Sequence, residues 1–222
     1  MNSGLNTTLR KVKNRLKQAG QQFLIHYKDL KNKIRYGIHA PKYMERIWVD
    51  PRKITHMISR EEVLRVSNIH RNQASDVVVD RDDIQESIPL TDDFRIQYCY
   101  KHWKEGNSWE KIGVYDFMAG TKAYRDWPVE KIKERFNMLD EAFKETQQTG
   151  KLKTRKEINP SNFREKDGIL VHIAKNGRPV FGGNGFHRLA IAQVLKLDVI
   201  PACVGLVDKS SIQYLKKYRK PK

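Results

Sequence analysis

The segment FGGNGFHRLAIAQVLKLDVIPA, residues 181–202, constrains the fold more than any other part of the chain. Three glycines within four residues, Gly182, Gly183 and Gly185, interrupt any regular strand and admit backbone conformations that side-chain-bearing residues avoid. The apolar run that follows carries Ala190, Ile191, Val194 and Leu195 on one side, with a narrow polar edge of Gln193 and Lys196. This spacing predicts a buried helix from about His187 to Leu197. VIPACVGLV, residues 199–207, then reads as a buried strand. Upstream, GILVHIAKNGRPVFGG holds two apolar runs around Asn176-Gly177, a pair suited to a tight hairpin. The order is therefore strand, glycine loop, helix, strand. The loop lies at the carboxyl end of a strand and the amino end of a helix, an α/β arrangement.

The first amides of a helix lack intrahelical acceptors, and the dipole leaves that end partly positive, so it attracts phosphate or sulfate. Gly182, Gly183 and Gly185 let an anion approach the backbone, Asn184 can take a left-handed turn, and His187 and Arg188 add charged donors. The same residues also fit a sharp turn whose Arg188 pairs with a carboxylate.

The rest of the chain falls into recognisable pieces. In RIWVDPRKI, residues 46–54, Ile47 to Val49 read as a first core strand ended by Pro51. SREEVLRVSNIH reads as a helix with a capping box of Ser59 and Glu62, and SDVVVDRDD as another short strand. Residues 94–127 hold nine aromatic side chains, including Trp103, Trp109 and Trp127. That density predicts the packing of an insertion, over about 60–127, that caps the domain. A helix follows, with Pro128 in its first turn, Ile132, Phe136, Leu139 and Phe143 on one face, and Gly150 as its stop.

The formal charge of +17 is concentrated at the two ends. Residues 1–35 carry +8 and residues 209–222 carry +6, which leaves the intervening domain nearly balanced. At the start, Leu5, Leu9, Val12, Leu16, Ala19 and Phe23 recur every three or four residues, the mark of a basic amphipathic helix over 1–36. Three readings fit: the stripe docks on the domain while the lysines face water; the helix adheres to nucleic-acid phosphate or an anionic membrane surface; or it is a targeting presequence. No apolar run is long enough to cross a bilayer. Cys99 and Cys203 stand apart in apolar surroundings, and neither they nor the seven histidines show metal-ligand spacing. A reduced, cytoplasmic protein without a resident metal is expected.

FGGNGFHRLAIA…LDVIPACV resembles the ParB/sulfiredoxin superfamily, in which a glycine-rich turn with a His/Arg-Arg pair opens a helix that leads to an Ile-Pro strand. RIWVDPRKI is similar to the first strand of the same fold. The resemblance implies one α/β domain over 37–208, a small mixed sheet with flanking helices, between the basic helix and a basic tail over 209–222. It implies a nucleotide, ATP or CTP with Mg, whose phosphates would sit on Gly182 to Arg188, with Gly185, His187 and Arg188 holding them. Phe186 stands where sulfiredoxins have their catalytic cysteine and partition proteins a glutamate, so neither chemistry transfers unchanged. The expected activity is phosphoryl transfer to a small hydroxyl metabolite, with Asp50 and Glu45 beside the first strand as acid candidates. The alternative is a DNA-associated binding or nuclease module. The 15 residues after Val207 leave no room for the helix-turn-helix of partition proteins.

Overall fold

The computed structural model describes residues 23–70, 74–80 and 88–220. A helix, α1, occupies residues 23–36. It is followed by β1 (Arg46–Val49), β2 (His56–Met57), α2 (Arg60–Ser67), β3 (Val78–Val79) and β4 (Ile88–Pro89). Five helices come next: α3 (Phe94–Trp103), α4 (Trp109–Ile112), α5 (Val114–Ala119), α6 (Val129–Thr149) and α7 (Arg155–Ile158). The chain then returns to the sheet with β5 (Ile169–Ile173), β6 (Pro179–Phe181), α8 (Phe186–Val194), β7 (Ile200–Asp208) and α9 (Leu215–Tyr218). The fold is α/β: a mixed sheet in the order β1-β7-β5-β6-β2-β4, with β3 added to the far half of β7.

All nine residues of β7 are buried, because it pairs with β1 antiparallel, with β5 parallel and with β3 parallel. The register of β5 on β7 shifts between Val171 and Ile173. There the buried His172 ring occupies the space a side chain on Gly205 would need, and its Nδ1 accepts the Leu206 N–H at 2.8 Å. One face of the sheet packs through Ile169, Val171 and Val204 against α3, α6 and α8; the other packs through Val180 and Leu206 against α2. Each such side chain contributes about 1.5–3 kcal/mol by leaving water.

Several elements match their sequence signals. Pro51 ends β1, Gly150 closes α6 in the left-handed region, and Asn176 (φ 61°) turns the β5–β6 hairpin. Others differ for identifiable reasons. Ser59 caps α2, but the Glu62 carboxylate pairs with Arg65 instead of completing the box. α8 stops at Val194, and Gln193 is no solvent edge: its amide donates to the Pro51 and Ile54 carbonyls and its oxygen accepts from Tyr100. The insertion is also bounded differently from the expected 60–127. β3 and β4 lie inside that range yet join the sheet, and the helical layer runs from α3 to α7, residues 94–158.

The basic N-terminal helix departs most from the docking reading. Residues 1–22 lie outside the described residues, as do most of the stripe positions of that helix. In α1 the half-buried positions are Ile25, Asp29, Asn32 and Tyr36. Asp29 accepts from the Tyr43 amide (2.8 Å) and pairs with Arg164 (2.6 Å), while Asn32 donates to the Asp76 carbonyl (2.8 Å). Phe23, Tyr27, Leu30 and Ile34 are 56–78% exposed. A helix that docks through polar bonds has turned its apolar side outward. No helix of the described residues is long and apolar enough to cross a membrane.

Candidate anion-binding site

The glycine loop joins β6 to α8 over the start of β5. Gly183 (φ 76°) and Gly185 (φ 88°) take the left-handed turns, so the conformation expected of Asn184 belongs to its neighbours. Gly185 is needed twice, because a Cβ there would stand 2.9 Å from the Ile169 Cα. Asn184 is instead a tie: its side-chain amide donates to the Gly168 carbonyl (2.8 Å) and its main-chain carbonyl accepts from the Leu170 N–H (3.0 Å). Gly182 faces inward, its missing side chain leaving room for Leu170 and His172, and its N–H goes to the Leu170 carbonyl. It is therefore removed from the phosphate-binding set. From Gly183 to Arg188, six consecutive amides have no acceptor among the described residues.

The residues that carry these amides line a cleft of ≈ 870 Å³ between the loop and the helical layer. Its walls include Arg95 from α3, Arg135 from α6, Arg155 from α7 and Arg188 from α8. Arg135 Nε, Arg155 Nε and Arg188 Nη1 are buried and lack a hydrogen-bond partner. Arg135 and Arg155 form no ion pair among the described residues. Arg188 donates through Nη2 to the Lys153 carbonyl, and its Nη1 stands 3.9 Å from Glu165. Burial, partly offset by Glu165, lowers its pKa to about 10, which keeps it charged at neutral pH. Glu165 is fully buried and already accepts from Arg46 Nε and the Arg155 amide, both at 3.0 Å. The pairing of Arg188 with a carboxylate is thus real but incomplete.

His187 does not supply the expected charge. Its Nε2 lies 2.6 Å from the Tyr98 hydroxyl, and burial, with Arg135 and Arg95 nearby, lowers its pKa to about 4. The ring is neutral near pH 7, and its part is positional. Phe186 contributes only an amide: its ring is buried, edge-on to Phe181 and 3.5 Å beneath the Arg95 guanidinium. Arg95 itself is engaged by Asp93 through two bonds.

The carboxylates chosen from the sequence lie elsewhere. Asp50 caps the turn after β1 and is chelated by Arg52, whose hydrogen bonds lower its pKa. That turn meets Gln193 near the far end of α8, about 10 Å along the axis from the loop at 1.5 Å per residue. Glu45 is buried against Arg219 (2.7 Å) and the Lys42 amide. Neither lines the cleft. The exposed Asp167 does, and it has no ion pair among the described residues. Phe94 and Phe117, 4.3 Å apart and partly exposed, form an aromatic rim. Cys99 and Cys203 are both buried, and desolvation raises both thiols, Cys203 to about 12.

Among the described residues no group of three or more His, Cys, Asp or Glu could hold a metal ion. No family model, curated protein or solved structure matches the chain.

Proposed function

We propose that the cleft binds a nucleotide through its phosphates, in the manner implied by the ParB/sulfiredoxin resemblance. One observation carries the reading: six residues whose backbone amides have no acceptor among the described residues line the same cleft as three arginines that each hold a buried nitrogen without a hydrogen-bond partner. Buried donors without acceptors cost about 1–3 kcal/mol each, and phosphate oxygens satisfy both kinds at once. Gly183 and Gly185 set the approach, the Asn184 to Arg188 amides and Arg188 hold one phosphate, and Arg135 and Arg155 take further negative charge. The Phe94–Phe117 rim supports a planar base over a bare phosphate. The donor set suits a polyphosphate, and a magnesium ion would enter with it, neutralising charge between its phosphates.

Calorimetry with ATP, CTP, GTP and pyrophosphate, with magnesium or with chelator, tests this. Arg155→Gln is the informative variant, because the Arg155 guanidinium makes no hydrogen bond or ion pair among the described residues. It should weaken nucleotide binding by about tenfold or more with stability unchanged. Phe117→Ala should weaken nucleotides and spare pyrophosphate. Absence of binding heat with every ligand would remove the reading.

Phosphoryl transfer to a hydroxyl metabolite would draw on Asp167, the cleft carboxylate without an ion pair among the described residues, as the group that takes the proton. Incubation with labelled ATP and a metabolite pool should then give a product that Asp167→Asn loses while nucleotide binding persists. The basic ends are a separate, salt-sensitive surface for a polyanion.

A further inference from the structure

The outward stripe of α1 identifies which polyanion the basic ends meet. At about 100° per residue, Phe23, Tyr27, Leu30 and Ile34 fall within about 60° of one another, on the side opposite Asp29 and Asn32, which tie the helix down. Lys31 and Lys33 lie about 80° to either side of the stripe's centre, where long side chains can reach past an apolar edge toward charged groups. Upstream in the sequence the same three-four spacing runs back from Phe23 to Leu5. The other basic end is brought alongside: Arg219 donates to the His39 and Ala40 carbonyls, just past the end of α1. Arg219 of the basic tail thus lies just beyond the end of α1.

An apolar ridge is an odd fitting for nucleic acid, whose outer surface is phosphate and sugar. A second copy of the chain would match ridge to ridge, but residues 1–35 hold a single acid, Asp29, and Arg164 already occupies it. Pairing two such helices would set like charges face to face. A bilayer with anionic headgroups answers both features: the ridge enters the boundary of the acyl chains, and the flanking lysines meet the phosphates. We infer that α1 is a monotopic membrane-docking helix, lying in the plane of an anionic bilayer with Phe23, Tyr27, Leu30 and Ile34 inserted and the folded domain held above the surface by Asp29 and Asn32. This rests on the polyanion reading of the basic ends and is independent of the cleft.

The test is co-sedimentation of the full chain with vesicles of phosphatidylcholine alone, or of phosphatidylcholine and phosphatidylglycerol in equal parts, with a DNA duplex as competitor. The chain should bind the anionic vesicles and not the neutral ones. Leu30→Gln/Ile34→Gln and Lys31→Glu/Lys33→Glu should each lower partitioning by about tenfold or more. All four positions are exposed, so both variants should retain the far-ultraviolet circular dichroism and the nucleotide-binding heat of the parent. Undiminished vesicle binding by the glutamine pair would overturn the inference, because the ridge would then not insert. So would a chain that prefers duplex to vesicles, or one that dimerises in sedimentation velocity until Leu30 and Ile34 are replaced. Binding to neither vesicle nor duplex would sink the polyanion reading as well, leaving the cleft untouched.

Discussion

His187 shows how one side chain can be read correctly for place and wrongly for charge. Unfolded, it titrates near 6.5; folded, near 4, because burial and two arginines oppose the imidazolium. The unfolded chain therefore takes up the proton first as pH falls. Stability should drop between pH 6.5 and 4, by up to about 3 kcal/mol from this group. Asp76 acts in the opposite sense, its pKa raised by burial to about 6, so the folded state holds that proton more tightly and gains stability as pH falls from about 6 toward 3.8. Urea titrations of the parent and of His187→Gln across this window separate the two, and the difference between the proteins should carry the His187 slope alone. Gly185→Ala should cost roughly 1–3 kcal/mol, since its backbone conformation and Ile169 both reject a Cβ, and the loss will appear as a lower urea midpoint. The loop and Arg188 were legible because glycine spacing and a helix start are local signals. Arg135 and Arg155 were not, since a lone arginine on an amphipathic helix reads as solvent-facing until the opposite wall is known.

Among elements, one carboxylate ties together three helices of the helical layer. Asp140 of α6 accepts from the indole nitrogens of Trp103 (2.9 Å) and Trp109 (3.0 Å) and lies 2.9 Å from His102 Nε2, joining three helices. The His102 and Trp109 rings stack at 3.7 Å, and Trp103 lies flat on Phe143. Asp140→Ala should strip partners from all three donors and cost about 2–4 kcal/mol, with near-ultraviolet dichroism lost before the far-ultraviolet signal. The aromatic density of residues 94–127 pointed to packing, as found. What the sequence could not provide was the partner, because Asp140 lies on α6, more than 30 residues beyond Trp103 and Trp109, and no periodicity links them. The sheet strands were easier where burial is continuous, as in β5 and β7, or where valines cluster, as in β3, and hardest at β2 and β4, each two residues long and defined only by its neighbour.

Taken whole, the molecule is a sheet domain with one side helix fastened by few bonds. α1 is anchored through Asp29, Arg164 and Asn32 and contributes little to the main core beyond Tyr36. Arg164→Ala should accordingly speed hydrogen exchange and proteolysis in residues 23–38 while the melting temperature of the domain moves little. The distribution of charge was legible from the sequence, but the outward turn of the apolar side was not, because periodicity marks a stripe without saying what it faces. One arrangement in the sheet also sets the order of assembly. β7 lies between β1 and β3 on one flank and β5 on the other, so strands more than 100 residues apart along the chain find their places only when Ile200 onward arrives. Such distant pairing predicts slow refolding, and a chain arrested short of that strand would present several bare sheet edges together, a template for aggregation instead of a stable fragment.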